Sequence, residues 1–390
     1  MDDYSASVSE MQTQTDPGES GSESQATSLA GELERLRYAI AECRAMQYWY
    51  ETQAEGVRTN FIHNGQFEVA QRGNSFDSTT TPSNNDDTYL LDRWILLSDG
   101  NDVVDVSQES STVPTGSGYA IKLDVETANK KFGIAQVIWG RESSILAGRT
   151  VSLTFKARIS GSSIGAIRAG VASWTSTSNS VTSDIVSAWN GAGTNPTLAT
   201  NWAFDNTPGA LTAPTTSYQT YTINNISVDS SANNVAVFIW TDDVTMSVGD
   251  FLYITDVQLT IGSAADAYRR RLYHDELSLC RRFFQRINIT SSSAEFVATG
   301  VAINTTTAYF TFPLLYQMRA VPSFSFSAAG TWVVLESGGT QNAVSSISAL
   351  KTSNYMLGIT VTTSGIVAGE SVLLCRDGTD TTYIEADADL

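Results

Sequence analysis

Cysteine and histidine are nearly absent from this chain. Its 390 residues include three cysteines, Cys43, Cys280 and Cys375, and two histidines, His63 and His274. Three cysteines so far apart build neither a disulfide framework nor a metal-binding spacing. Zinc chemistry therefore lacks ligands, and a Ser–His–Asp or Cys–His centre lacks a free base. Each histidine has a structural explanation: His63 lies just before Asn64-Gly65, and His274 lies inside an arginine-rich stretch. Basic charge is scarce too. Lys and Arg number 23 against 41 Asp and Glu, giving a formal charge of −18 and a pI near 4.4. That field repels phosphate backbones and anionic membrane surfaces, so no nucleic-acid partner is expected. The amino terminus is acidic and carries no apolar run. Neither a signal peptide nor membrane insertion is expected, and the chain is expected to fold in a cytoplasm. Glycine-containing runs such as Gly191-Ala-Gly193 open no helix after a strand, which excludes a phosphate loop.

Ser, Thr, Asn and Gly are abundant, and only 16% of residues are charged. This profile suits a mainly β, loop-heavy protein better than a compact helical enzyme. Residues 1–28 contain six acidic residues and no Lys or Arg, and such a segment is disordered alone. Its expected role is an extended anchor held by a partner protein. From 29 the pattern changes. Leu29, Leu33, Leu36, Ile40, Cys43, Gln47, Tyr50, Ala54 and Val57 alternate spacings of four and three. That is an a/d heptad, read as an oligomeric coiled-coil helix over 29–59, with Gln47 as a polar residue that fixes register. A single amphipathic helix packed on its own domain is the alternative.

Between 60 and 263 the period switches to two. In Val151-Ser-Leu-Thr-Phe-Lys-Ala-Arg-Ile159 every odd residue is apolar, and Val235, Val237 and Ile239 repeat the pattern. Many short alternating strands with Gly, Asn and Asp turns predict a jelly-roll β-sandwich. The polar segment between Trp174 and Tyr218 reads as long loops. Residues 288–390 return to period two, as in Ala308–Phe312 and Met356–Val361, and predict a smaller C-terminal β-sandwich. Residues 264–287 between the two are expected to form a short helical linker. The stretch Tyr268–Arg286 holds six of the 23 basic residues. Its spacing of Tyr273, Leu277, Cys280, Phe284 and Ile287 predicts an amphipathic helix. Arg269, Arg270, Arg271, Arg281 and Arg282 would then make an interdomain joint with acidic partners.

The segments "NFIHNGQFEVAQRGNSF" (60–76), "YLLDRW" (89–94), "LAGRTVSLTFKAR" (146–158) and "DFLYITDVQLTIG" (250–262) resemble bacteriophage virion proteins with a carbohydrate-binding-module-like jelly roll. "ELSLCRRFFQR", "TAYFTFPLLYQMRAVPSFS" and the ending "TYIEADADL" are similar to the segments C-terminal to that module in such proteins. The resemblance covers residues 60–390. It implies a tail fibre or tail spike located in the virion, non-enzymatic and homotrimeric through the coiled coil. Residues 1–28 would dock on other virion proteins, and the β-domains would bind host surface polysaccharide or lipopolysaccharide. A purely structural virion component without a receptor role is the alternative. A glycan-degrading depolymerase is a further one, because two carboxylates suffice for glycoside hydrolysis; the acids of Asn85-Asp-Asp87 and Thr241-Asp-Asp243, however, read as turn residues. Sandwich modules of this kind often hold a structural Ca²⁺, and the matching positions here are Glu68 and Asp256. The other reading is that both acids hydrogen-bond neighbouring backbone. Trp174, Trp189, Trp202 and Tyr218 fall in or beside the long polar segment and are candidate sugar contacts, with packing against a loop or subunit as the alternative. Trp94, Trp139, Trp240 and Trp332 sit in strand patterns and are assigned to core.

Overall fold

The structure is a computed structural model that describes residues 59–161, 164–242, 245–289, 295–378 and 381–390. The expected anchor over 1–28 and the seam Leu29, Leu33, Leu36, Ile40, Cys43, Gln47 and Tyr50 lie outside the described residues. The chain divides into two compact units, 1–59 and 60–390, and apart from Thr59 all described residues belong to the second.

Period-two alternation becomes two six-stranded antiparallel sheets. The first orders Ser75–Phe76, Val104–Glu109, Ala120–Val125, Phe251–Ile261, Thr150–Ile159 and Gln219–Ser227. The second orders Trp202–Phe204, Ile167–Trp174, Asn234–Thr241, Phe132–Ile138, Ile95–Ser98 and Thr88–Tyr89. Inward residues of both, among them Val151, Leu153, Phe155, Leu252, Ile254, Val235, Val237 and Ile239, share one core. Successive strand residues point to opposite faces, so each sheet contributes every second side chain. A seven-residue helix, α1 (Gly140–Leu146), interrupts the strands where the alternation predicts no helix.

The second sheet is covered on its outer face as well, contrary to the loop reading of the segment after Trp174. That segment includes the strands Val186–Ala188 and Thr197–Leu198, which pair with each other. It buries Val181, Ile185 and Val186 against Phe238 and Trp240 in a second apolar layer. All eight residues of Asn234–Thr241 are buried as a result.

A helix, α2 (Tyr273–Arg281), comes after the sandwich. Its buried face carries Glu276 and Cys280, continued by Phe283. Tyr273, placed by its spacing in the apolar stripe, is 53% exposed. Glu276 displaces it because its carboxylate accepts from the backbone N–H of Asn64 at 2.5 Å and from Arg271 at 3.2 Å. The strand Phe284–Ile289 then opens the C-terminal domain inside the expected linker, pairing with Thr382–Asp387 and, through it, Ser323–Phe326. A seven-stranded sheet completes this domain, and Ile289, Phe310, Trp332, Ile359 and Ile384 fill the space between the two sheets.

Two arginines of the sandwich make the buried ionic joint. Arg93 Nη1 and Arg72 Nη2 each reach Asp389 at 2.6 Å, and Arg72 also reaches Asp387 at 3.0 Å. The guanidiniums lie over the rings of Phe283 (3.5 Å) and Phe284 (3.6 Å). The five arginines expected to form the joint are placed differently. Arg270 pairs with Glu68. Arg271 bonds Glu276 and the Ile62 and Asn60 carbonyls, pinning the linker to the sandwich. Arg281 lies over Tyr316 and Arg282 over Trp139. Arg269 is exposed and donates its backbone N–H to Gln258. Arg270 and Arg271 thus find acidic partners of the expected kind, Glu68 and Glu276, while Arg269, Arg281 and Arg282 find none among the described residues.

Candidate functional site

One irregularity in the first sheet builds the candidate site. Pairing between Phe251–Ile261 and Thr150–Ile159 shifts register between Thr255 and Gln258, leaving Asp256 and Val257 in a bulge opposite Phe155. Bulges re-aim side chains and recur beside binding sites. Val257 turns into the core, while Asp256, at φ 54°, adopts the left-handed conformation that Asp tolerates better than most residues. Gly65 passes directly beneath: a Cβ there would stand 2.2 Å from the Val257 carbonyl oxygen, so any larger residue would push the bulge away.

The re-aimed Asp256 carboxylate is buried. It pairs with Lys156 at 2.7 Å and accepts from Gln66 Nε2 at 2.6 Å and Ser117 Oγ at 2.8 Å. This donation fixes the Gln66 amide, since only its NH₂ side can face a carboxylate. Gln66 Oε1 is thereby committed to the other direction, and it is buried without a hydrogen-bond partner. Around these groups lies an open groove of about 400 Å³. Thr154, Lys156, Thr220 and Thr222 form its floor, and Thr115–Gly116 and Ala265–Tyr268 its walls, with Arg270 at the rim. Thr220 and Thr222 are exposed. Burial, then the nearby Glu276 and Asp256 charges, raises the Tyr268 hydroxyl and keeps it neutral. Hydroxyls, an orphan amide oxygen and cations that are each paired, Lys156 with Asp256 and Arg270 with Glu68, suit a polyhydroxylated ligand, with Asp266 a further carboxylate in the wall and orientation set by a few fixed polar groups.

The calcium positions do not fit that ion. Glu68 is engaged by Arg270 and Asp256 by Lys156, and among the described residues no group of three His, Cys, Asp or Glu gathers. Burial raises the Glu68 carboxyl, with Arg270 opposing. Two arms that each hold a cationic side chain leave no hard-oxygen cage.

The four candidate aromatics are not one platform. Trp174 and Trp202 pack against each other at 5.6 Å, and Trp189 meets Phe238 edge-on at 5.9 Å, all on the outer face of the second sheet. Trp202 is buried, and Trp174 Nε1 donates to the Thr177 carbonyl. These rings hold the covering segment in place. Tyr218 lies on the other sheet, where its hydroxyl donates to the Thr112 carbonyl at 2.8 Å and ties down a loop. Of the core-assigned tryptophans, Trp94, Trp240 and Trp332 are buried, whereas Trp139 lines a groove between the two domains. Sequence reasoning missed Gln66, Thr220 and Thr222; "NGQFE" carried a turn signal, but nothing in it pairs Gln66 with a bulge 190 residues away. His63 is structural: its backbone exchanges two hydrogen bonds with the Gln136 side chain, and burial first, then Arg93, Arg271 and Arg282, lowers its imidazole well below the ordinary value.

No family model matches the chain, and no curated protein does. Among solved structures, it is similar to the enzymatically active domain of tailspike protein 4 from bacteriophage CBA120, at 16% identity and a TM-score of 0.31. That match spans 52% of this chain and 21% of the tailspike. A putative sugar-binding protein from Bacteroides thetaiotaomicron matches at 14% identity and a TM-score of 0.32, over 52% of this chain and all of that one. A structure titled for a family 4 carbohydrate-binding module matches at 15% identity and a TM-score of 0.30, over 52% and 99%.

Proposed function

We propose that this chain is a non-enzymatic, glycan-binding fibre or spike of a phage particle. In this reading the Thr154–Thr222 groove takes a neutral segment of host surface polysaccharide, or of the sugar chain of lipopolysaccharide. The observation that carries it is Gln66 Oε1: a buried acceptor, oriented by Asp256 and left without a protein partner, beside a floor of threonine hydroxyls. In this reading a small side-chain shift brings that oxygen, buried in the free chain, to a sugar hydroxyl, and a site with a fixed polar group rejects ligands that cannot pair with it. Two carboxylates line the groove, Asp256 and Asp266; binding without cleavage is the reading because Asp256 is held in an ion pair by Lys156, while glycoside hydrolysis needs both carboxyl groups to act on the bond.

The virion assignment rests on the sequence resemblance. Trimerisation through 29–59 and docking through 1–28 belong to the same reading, in which three weak sites gain strength by acting together. Sedimentation of the full chain should give three times its 42.0 kDa; a monomer at micromolar concentration would refute the trimer. For the glycan, arrayed host polysaccharides should retain the native chain without release of reducing ends. Gln66→Ala or Thr222→Ala should each weaken retention roughly tenfold, about the contribution of one hydrogen bond left unmade in a buried site. Native-level retention by both variants would place the glycan site outside this groove, and no retention by the native chain would leave a structural virion component as the better reading. Release of reducing ends would favour a depolymerase.

A further inference from the structure

A second open groove, of about 730 Å³, lies elsewhere. It runs between the two β-domains. The sandwich contributes Trp139 and Arg141, α2 and the residue that caps it contribute Ser278 and Arg282, and the C-terminal domain contributes Tyr316 and Arg319. We propose that it binds a carboxylate-bearing oligosaccharide, at a site separate from the neutral-glycan groove.

Charge is the first argument. In a chain of net charge −18, three guanidiniums converge on one cleft. Arg319 is fixed by donating to the Ala388 and Asp389 carbonyls. Its backbone N–H donates to the Arg282 carbonyl at 2.8 Å, which sets the two arginines side by side. Arg282 lies over the Trp139 ring at 4.7 Å. Among the described residues, neither Arg282 nor Arg141 forms an ion pair with a carboxylate. Arg72, Arg93, Arg270, Arg271 and Arg286 are paired with carboxylates, whereas Arg282 and Arg141 meet a carboxylate charge only at longer range, that of half-buried Glu142. Guanidiniums present planar forks that match carboxylates. Asp275, also in the lining, is exposed and lies 3.2 Å from His274.

The neutral groups make the second argument. Gln317, Asn354, Ser278 and the Tyr316 hydroxyl offer donors and acceptors of the kind that sugar hydroxyls need. The cleft's size is that of a small-ligand site, a range of roughly 300–1,000 Å³. A nucleic acid is the poorer occupant, because the field of the whole chain opposes a long phosphate backbone.

Calorimetric titration of the full chain tests this with a panel of galacturonate, glucuronate and sialic-acid oligomers, each against its uncharged methyl ester. At least one acidic oligomer should bind, its ester roughly tenfold more weakly, and the binding should weaken in high salt. Arg141→Gln, at an exposed position, should cost roughly tenfold without changing thermal unfolding. Arg282→Gln should do the same, while Gln66→Ala should leave the acidic probe's affinity unchanged. The proposal is overturned by no binding across the panel, equal binding of acid and ester, full affinity in Arg141→Gln, or tighter binding of a single-stranded oligonucleotide. A loss in Gln66→Ala equal to that in Arg141→Gln would also overturn it, by merging the two sites.

Discussion

Asp389→Ala should cost about 3–5 kcal/mol of unfolding free energy, the range for removing one partner of a buried ion pair. Asp389 is the shared anion of two arginines whose side chains are 5% and 2% exposed. Without it, Arg72 retains the half-exposed Asp387, and Arg93 retains only the Val137 carbonyl and the face of Phe283. A stranded guanidinium has no low-cost neutral form, so the penalty falls on folding. Acid should have a similar effect on the native chain. Burial alone would raise the Asp389 carboxyl, but Arg72 and Arg93 outweigh it and hold the group below its ordinary value. A carboxyl depressed in the folded state adds stability above its unfolded pKa of about 3.9, and loses it as pH falls through the folded value. Urea unfolding at pH 7 and again below pH 4 should show the variant's deficit shrinking in acid. A deficit under about 1 kcal/mol at pH 7, the size of a surface pair, would contradict a joint built on this ion triad.

Trp240→Ala should be similarly damaging, by about 3–5 kcal/mol, the usual cost of truncating a buried Trp. Trp240 is fully buried although it points away from the main core. Phe238 stacks on it at 4.4 Å and Phe204 at 5.5 Å. If the polar segment after Trp174 were a free loop, Trp240 would stand in solvent, and its loss would cost little. Thermal unfolding separates the cases. A large drop in melting temperature, together with new protease cleavage between 175 and 200, is expected. Unchanged melting would make the segment a loop and return Trp174 and Trp189 to the sugar-binding candidates.

Much of the architecture is legible in local pattern. A strand such as Val151–Ile159 announces its buried face by alternation, because one face is apolar and the pleat has a period of two. The covered face of Asn234–Thr241 is less legible: the strand pattern assigns Trp240 to core, but nothing in it names the cover, which has the composition of a loop. Pattern also fails where the partner is distant. Arg93 and Asp389 are 296 residues apart, so the arginine-dense stretch draws attention while the true buried joint lies elsewhere. Spacing misplaces the α2 stripe for a related reason: Glu276 is buried only because the Asn64 amide and Arg271 receive it. The groove depends on a register shift, and one extended strand carries no local sign that Asp256 will turn outward while Val257 turns in.

The most direct test of the central claim is a crystal structure of the chain with the neutral oligosaccharide that it retains best on the array. Sugar density should lie over Thr154, Thr220 and Thr222, with one hydroxyl donating to Gln66 Oε1. Density stacked on Trp174 or Trp189 with the threonine groove empty would contradict it.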